Sequence, residues 1–210
     1  LGRGALTERY RDYPVSQARV RTTTSDRMKS VIKSFALTVA ALTLASCSTF
    51  EAGPVGNTAV PQPTKPVEVK RYLGRWYELA RYEAGFQKDC EAVTADYSQT
   101  APDRIKVVNA CRKGSINGKI ETATGKAKIV SGSGAAKLTV SFFGPFYGDY
   151  WVLDRAEDYS WSIVGEPSGR YLWLLHRQPN PGTATFNAMK RRAAELGYDV
   201  RLLRVTQQPG

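Results

Sequence analysis

The sequence predicts an all-β fold: eight antiparallel strands in a meander, followed by an α-helix and one further strand. From residue 69 onward, short segments that alternate between apolar and polar residues follow one another at short spacing, separated by turn residues. Glycine (18 residues) and aromatic residues (10%) are plentiful, which suits such a chain. Near the C-terminus the apolar period changes to that of a helix.

The 210 residues fit one domain with additional segments rather than two domains. The formal charge is +11, and residues 1–46 hold eight Lys/Arg against three Asp/Glu. A charge of this size favours solubility and attraction to anionic surfaces. Residues 1–27 show no helical or strand period. We interpret them as a disordered extension or as the product of a start assigned too early.

Residues 28–46 have the pattern of an export signal. Two lysines between Met28 and Lys33 precede the apolar run Phe35–Leu44, which is too short to span a bilayer permanently. The run ends in Leu-Ala-Ser before Cys47, and small residues at this place resemble the bacterial lipobox, in which the thiol is lipidated and the chain is cut before it. An ordinary signal peptide with a chance cysteine is the alternative. Ser48, directly after the cysteine, resembles the residue found at this position in lipoproteins that are sorted to the outer membrane.

The segment after the cysteine predicts a tether. Residues 47–66 are rich in Pro, Gly and Thr without any apolar period. Such a composition favours a flexible to semi-extended linker between an anchor and a domain. The folded domain is therefore predicted over residues 67–210.

The first predicted strand is the run Gly74–Tyr82 (GRWYELARY). A glycine two residues before Trp76 lets backbone come close where the indole turns inward. Strict alternation puts Trp76, Glu78, Ala80 and Tyr82 on one face, with Tyr77, Leu79 and Arg81 on the other.

Seven further strands follow, separated by turn sequences such as Pro102-Asp103 and Pro167-Ser168-Gly169. They are predicted over Cys90–Ser98, Arg104–Arg112, Asn117–Val130, Lys137–Phe142, Tyr150–Asp154, Tyr159–Gly165 and Arg170–Arg177.

The period then becomes helical. Phe186, Met189, Ala193 and Leu196 fall on one face of a helix. Thr183 or Thr185 is the expected N-cap, and Gly197 is the expected stop. One last strand is predicted over Asp199–Val205.

Three sequence pieces in this order resemble the lipocalin family, most closely its bacterial members and their animal relative apolipoprotein D. They are the Gly74-x-Trp76 strand, the aromatic stretch from Phe142 to Trp151, and the apolar strand that ends in Arg177. The resemblance implies that the eight strands close into an up-and-down β-barrel. It also implies that Gly74, Trp76 and Arg177 close one end, with the arginine packed across the indole as a cation–π contact.

The resemblance further implies binding of a small hydrophobic molecule, which for bacterial members is a fatty acid or a lysophospholipid. An eight-stranded barrel has room for side chains or one small ligand. Strand alternation predicts an apolar cavity lined by Val93, Tyr97, Leu138, Val140, Phe142, Tyr150, Trp161 and Trp173. Glu78 is the one carboxylate expected to face it, as a partner for a polar head. The expected location is the outer membrane of a Gram-negative bacterium, with the barrel in the periplasm.

Two other function classes stay open: an enzyme on the same scaffold, and a structural envelope lipoprotein with a filled barrel. His176 is the only histidine, and the paired carboxylates sit at strand ends or turns, so no catalytic residue, metal or cofactor is expected. Lys190-Arg191-Arg192 lies on the polar helix face and predicts a solvated surface rather than nucleic-acid binding. Whether the chain forms a homodimer is left open by the sequence.

The remaining cysteines, Cys90 and Cys111, flank the predicted turn at Pro102-Asp103 and fall roughly opposite each other across one hairpin. The export signal implies an oxidising compartment, where such a pair forms a disulfide. Two free buried thiols are the alternative.

Overall fold

The computed structural model describes residues 54–210. The predicted N-terminal extension, export signal and lipidated Cys47 lie outside the described residues, so they stay predictions. None of the helices in the described part is long and apolar enough to cross a membrane.

Nine strands form one antiparallel sheet. Their bounds are β1 (Gly74–Tyr82), β2 (Cys90–Ala101), β3 (Arg104–Lys113), β4 (Ile120–Ile129), β5 (Lys137–Ser141), β6 (Gly148–Arg155), β7 (Trp161–Gly165), β8 (Leu172–His176) and β9 (Leu203–Val205). Each of β2 to β8 pairs with the next strand in the chain, β8 returns to β1, and β1 pairs with β2. The predicted closed eight-stranded barrel with one additional strand is confirmed, with strand ends shifted by a few residues.

The barrel has two different ends. The first, called the floor here, carries the β2–β3, β4–β5 and β6–β7 turns and a short helix, α1 (Val69–Tyr72), which precedes β1. The second, called the mouth, carries the loops over residues 83–89, 114–119, 142–147 and 166–171. Val69 and Leu73 pack against the inner apolar cluster around Ile105, so α1 covers the floor.

A β-bulge in β1 changes which side chains face inward. Glu78 pairs with Leu175, but Ala80 pairs with the neighbouring Leu174, so one extra residue is inserted. After the bulge the alternation is reversed. The prediction that Ala80 and Tyr82 share the face of Trp76 was therefore wrong: both pack in the outer cluster beneath the C-terminal helix.

The C-terminal helix, α2 (Thr183–Glu195), packs on the outside of the barrel through buried Met189 and Ala193. Its N-cap is Gly182, whose φ of 90° begins the helix without a side-chain cap, so neither predicted threonine is the N-cap. Gly197, at a φ of 91°, follows the last turn as predicted.

The last strand is shorter than predicted, because residues Val200–Leu202 form a 3-10 turn before β9. The Asp199 side chain accepts a hydrogen bond from the Arg201 amide at the start of this turn. β9 pairs with the mouth half of β1, whereas β2 pairs only with the floor half. The C-terminal segment therefore fills the seam where β2 diverges from β1.

The described part of the predicted tether follows the barrel surface from mouth to floor. The Gly56 amide donates to the Gly169 carbonyl in a mouth loop, at 2.9 Å. Further along, the Lys65 ammonium lies 3.1 Å from a carboxylate oxygen of Asp154. The Val67 amide then donates to the Gly134 carbonyl at the floor, at 2.8 Å. The chain thus enters the described structure at the mouth end.

Candidate ligand-binding site

The floor of the barrel is closed by Trp76 and Arg177. The indole is fully buried, and the guanidinium carbon of Arg177 lies 3.7 Å from the ring centroid. Two guanidinium nitrogens donate to the carbonyls of Arg75 and Arg71, both at 2.7 Å. Gly74 begins the strand beside this arginine. Its φ is 87°, a backbone conformation that residues with a side chain rarely adopt. The contact joins the chain before β1 to the end of β8.

Above the floor, four hydroxyls form a buried cluster. The hydroxyl of Tyr72 lies 3.0 Å from those of Tyr150 and Ser162, and the hydroxyl of Tyr97 lies 3.0 Å from that of Tyr150. Burial raises the pKa of Tyr72 to about 12 and raises the pKa values of Tyr97 and Tyr150 well above their usual range. The phenols are therefore neutral at physiological pH and act as hydrogen-bonding groups.

The floor half of the barrel is filled with side chains. Its small cavity is lined by Tyr72, Tyr97, Ile105, Val107, Ala127, Leu138, Val140 and Tyr150. The free space is about 20 Å³, which holds about one water molecule. A hydrocarbon chain does not fit there beside these side chains.

The mouth half is open. All five residues at the mouth end of β4, 120–124, are exposed, and the alternation from buried Ala127 places Ala123 on the inner face. Between the halves, a side-chain carbon at Gly125 would lie 2.8 Å from the ring of Phe142. Glycine at this position thus leaves room for Phe142, which covers the filled half.

A polar network lies on the inner side of β1 toward the mouth. The Arg81 guanidinium lies 2.8 Å from a Glu78 carboxylate oxygen, and the amide of Gln87 and the hydroxyl of Thr206 donate to the same carboxylate. The indole nitrogen of Trp173 donates to the side-chain oxygen of Gln87 at 3.1 Å. Glu78 thus faces inward as predicted from alternation, but three groups of the protein already occupy its carboxylate.

The structure brings most of the predicted lining residues together. Tyr97, Leu138, Val140 and Tyr150 line the filled half, while Phe142 and Trp173 pack at the edges of the inner clusters. Val93 packs separately, with the disulfide. Trp161 faces outward and packs against the outer cluster with Ile163, beneath α2. The strand begins at Trp161, and alternation there puts Ser162 and Val164 inward, so the expectation for this tryptophan was wrong by one residue.

Cys90 and Cys111 form the expected disulfide, with their Cα atoms 5.4 Å apart. The bridge packs with buried Val93 in a small cluster of its own. It links the mouth ends of β2 and β3, next to the seam that the C-terminal segment fills. The bridge therefore braces the open half of the barrel.

The described structure gives no arrangement typical of a catalytic site. His176 is buried, which lowers its pKa, and its Nδ1 accepts a hydrogen bond from the Gln178 amide at 2.9 Å. Within residues 54–210, no three His, Cys, Asp or Glu side chains are grouped as metal ligands.

Several residues of the site were not identified from the sequence. Arg81, Gln87 and Thr206 reach Glu78 only because of the bulge and the C-terminal seam. The available signal was a pair of opposite charges three residues apart among the apolar residues of the mouth half of β1. Gly125 carried no signal, since its role depends on a ring from another strand.

A closed antiparallel barrel with a capped floor, an open mouth and one outer helix defines the lipocalin class of β-barrel proteins. Comparisons with known proteins agree. The family model of the lipocalin-like domain (Lipocalin_2) matches residues 67–208. The chain belongs to the lipocalin family.

Individual relatives show which lipocalins the chain is similar to. The outer membrane lipoprotein Blc of Vibrio cholerae is 39% identical over 171 residues, 80% of this chain and 99% of that protein. Apolipoprotein D of Mus musculus is 31% identical over 164 residues, 73% of this chain and 84% of that protein. Insecticyanin of the tobacco hornworm shares the fold, with a TM-score of 0.60 at 16% identity over 74% of this chain and 88% of that one. The predicted resemblance to bacterial lipocalins is confirmed.

Proposed function

We propose that this chain is a lipid-anchored outer-membrane lipocalin that binds one single-chain amphiphile, a fatty acid or a lysophospholipid, and stores or transports it. The observation that carries the proposal is the division of the barrel into a filled floor half and an open mouth half. Relatives whose name is outer membrane lipoprotein support the location.

The open half suits a single chain. With only about 20 Å³ free below Phe142, the ligand occupies the space between Phe142 and the mouth. Apolar pockets hold their ligands by buried area, and a few polar groups set the orientation. An eight-stranded barrel has room for one small ligand, so one acyl chain packs against Phe142 and Trp173 and no second chain is expected.

Two polar groups between Phe142 and the mouth support a position of the ligand's polar head near the mouth. Gln87 connects Trp173 to the Glu78 network. Asn109 stands between inward Val107 and Cys111, and its buried side-chain oxygen has no hydrogen-bond partner within residues 54–210. An acceptor of this kind suits a hydroxyl donor on the ligand.

Ligand titration followed by tryptophan fluorescence tests the proposal. Lysophospholipid or long-chain fatty acid should change the emission of Trp173 saturably, and a two-chain phospholipid should bind less well. Ala123→Trp should fill the open half and weaken binding, whereas Thr124→Trp, on the outer face of the same strand, should not. Absence of saturable binding by any single-chain lipid would favour the structural alternative, a filled barrel.

The anchor is tested separately. Each buried methylene contributes about 0.8 kcal/mol, so two or more acyl chains hold a protein stably on a bilayer. Cys47→Ala should release the protein to the soluble periplasmic fraction or leave it uncleaved. Fully processed Ala variant found in the membrane fraction would contradict the anchor.

A further inference from the structure

The mouth of the barrel exposes large apolar side chains. Phe143 and Phe146 are 79% and 77% exposed, Phe86 is 61% exposed, and Tyr147 and Ile120 are more than half exposed. They lie on or next to three separate mouth loops. Exposed apolar patches of this size mark interaction sites on soluble domains.

The floor is different in composition. Among the described residues, Val130, at 37% exposure, is the one large apolar side chain strongly exposed on a floor turn. Floor turns such as Pro102-Asp103 and Glu157-Asp158 carry acidic groups, as do the mouth loops over residues 83–89 and 166–171. The two ends of the barrel therefore differ in the apolar surface that they expose.

One side of the mouth fits a lipid surface. The loop over residues 142–147 (FFGPFY) has no charged residue, and the neighbouring loop over residues 114–119 carries Lys119 and no acid, whereas the loops over residues 83–89 and 166–171 carry charges of both signs. Aromatic rings that sit at the headgroup level, with lysines beside them, are typical of protein surfaces at the membrane interface.

The path of the chain places the predicted anchor at the same end. The Gly56 amide bonds to Gly169 in a mouth loop. Seven peptide units separate Cys47 from Pro54, the first described residue, and a chain of this length can span at most about 25 Å. An acyl chain on Cys47 thus brings the membrane to the mouth side of the barrel.

We infer that the mouth docks on a phospholipid bilayer, with Phe143 and Phe146 inserted at the interface and Phe86 beside them. The lipid anchor at Cys47 rests on the proposed function, whereas the exposed loops do not depend on it. Docking in this position opens the mouth half directly onto the bilayer. A single-chain lipid then passes between membrane and barrel without exposing its tail to water.

Two variants with one added tryptophan test which end meets the membrane. Phe146→Trp marks the mouth and Val130→Trp marks the floor. Each full chain is bound to vesicles of phosphatidylethanolamine and phosphatidylglycerol with brominated acyl chains, and quenching is measured on the bound fraction against the parent protein. We expect the added tryptophan to be quenched in Phe146→Trp and not in Val130→Trp. Equal quenching, or quenching of Val130→Trp alone, overturns the inference.

A second pair of variants tests the contribution of the loops. At limiting lipid, the double variant Phe143→Ser, Phe146→Ser should bind vesicles about tenfold or more weakly than the parent protein with the same acyl chains. Val130→Ser combined with Val205→Ser is the matched control and should bind like the parent. If the loop variant instead dissociates a dimer in solution and leaves vesicle binding unchanged, the patch contacts a second copy and the inference fails.

Failure of membrane docking can be distinguished from failure of the anchor or of ligand binding. A protein without acyl chains binds fewer vesicles, but the pattern of quenching in the bound fraction still reports which end docks. No bound fraction at any lipid concentration overturns docking. Lysophospholipid titration in the absence of vesicles should be unchanged within about twofold in the loop variant, so loss of ligand binding and loss of docking are distinguished.

Discussion

The guanidinium of Arg81 and the carboxylate of Glu78 lie 2.8 Å apart inside the barrel, and their side chains are 0% and 3% exposed. In a regular strand, residues three apart point to opposite faces. The bulge between Glu78 and Ala80 removes this constraint and brings both charges to the inner side. The same bulge turns Tyr82 outward, where it packs beneath α2.

Removing one charge of this pair should be costly. Arg81→Met leaves a buried carboxylate without its cation, and breaking such a pair destabilises proteins by about 3–5 kcal/mol. Arg75→Met is the matched control in the same strand, since the Arg75–Asp96 pair is largely exposed, and it should cost less than about 1 kcal/mol. Urea unfolding measures both. Similar losses for the two variants would show that burial adds nothing to the inner pair.

The floor contact gives a second prediction. Arg177→Ala exposes one face of the Trp76 indole and removes two hydrogen bonds to backbone carbonyls. We expect a loss of about 1–3 kcal/mol in the free energy of unfolding. Arg201→Ala, where the side chain is 88% exposed, should change it by less than about 0.5 kcal/mol. An unchanged denaturant midpoint for Arg177→Ala would remove the closing role of this contact.

The disulfide should stabilise the barrel by restricting the unfolded chain. Cys90 and Cys111 are 21 residues apart, and a loop of this length corresponds to about 3 kcal/mol in the loop-entropy model. Cys90→Ser combined with Cys111→Ser should lose about this amount in urea unfolding under non-reducing conditions. Peptide mapping without reductant should recover both cysteines in one linked fragment. Two separately alkylated peptides from periplasmic protein would refute the bridge.

The buried tyrosines predict a loss of stability at alkaline pH. Burial raises the pKa of Tyr72 from 10.0 to about 12, so the folded state keeps a proton that the unfolded state releases. Its contribution is complete below about pH 10 and is lost as the pH rises to about 12. A difference of about two pKa units corresponds to about 3 kcal/mol.

Unfolding by urea at several pH values measures this effect. Tyr72→Phe should reduce the slope of stability against pH in that range, whereas Tyr147→Phe, at an exposed mouth position, should keep it. An equal slope in Tyr72→Phe and the parent would show that the Tyr72 hydroxyl does not contribute.

Strand order, barrel closure, outer helix and disulfide were all accessible from the sequence, because each depends on a local period or on a resemblance carried by several residues. Trp76 and Arg177 belong to such a set. Turn residues such as Pro102 also mark where one strand ends and the next begins. These features need no knowledge of which side chains meet across the barrel.

Other features depend on contacts between distant parts of the chain. The bulge in β1 is marked in the sequence only by the opposite charges of Glu78 and Arg81, so strict alternation assigned Arg81 and Tyr82 to the wrong faces. Trp161 was placed inward, but its strand has the opposite phase, with Ser162 and Val164 inward. The filled floor half follows from the meeting of Tyr72, Tyr97 and Tyr150, which come from three separate segments. Strand alternation predicts which face a side chain takes, but not how much space remains between opposite walls.

Native mass spectrometry of the protein released from its own membrane tests ligand binding directly. We expect one lipid per barrel, with the mass of a single-chain amphiphile, and its loss in Ala123→Trp but not in Thr124→Trp. Protein that carries no lipid from its membrane, and that takes up none when single-chain lipids are added, would contradict ligand binding.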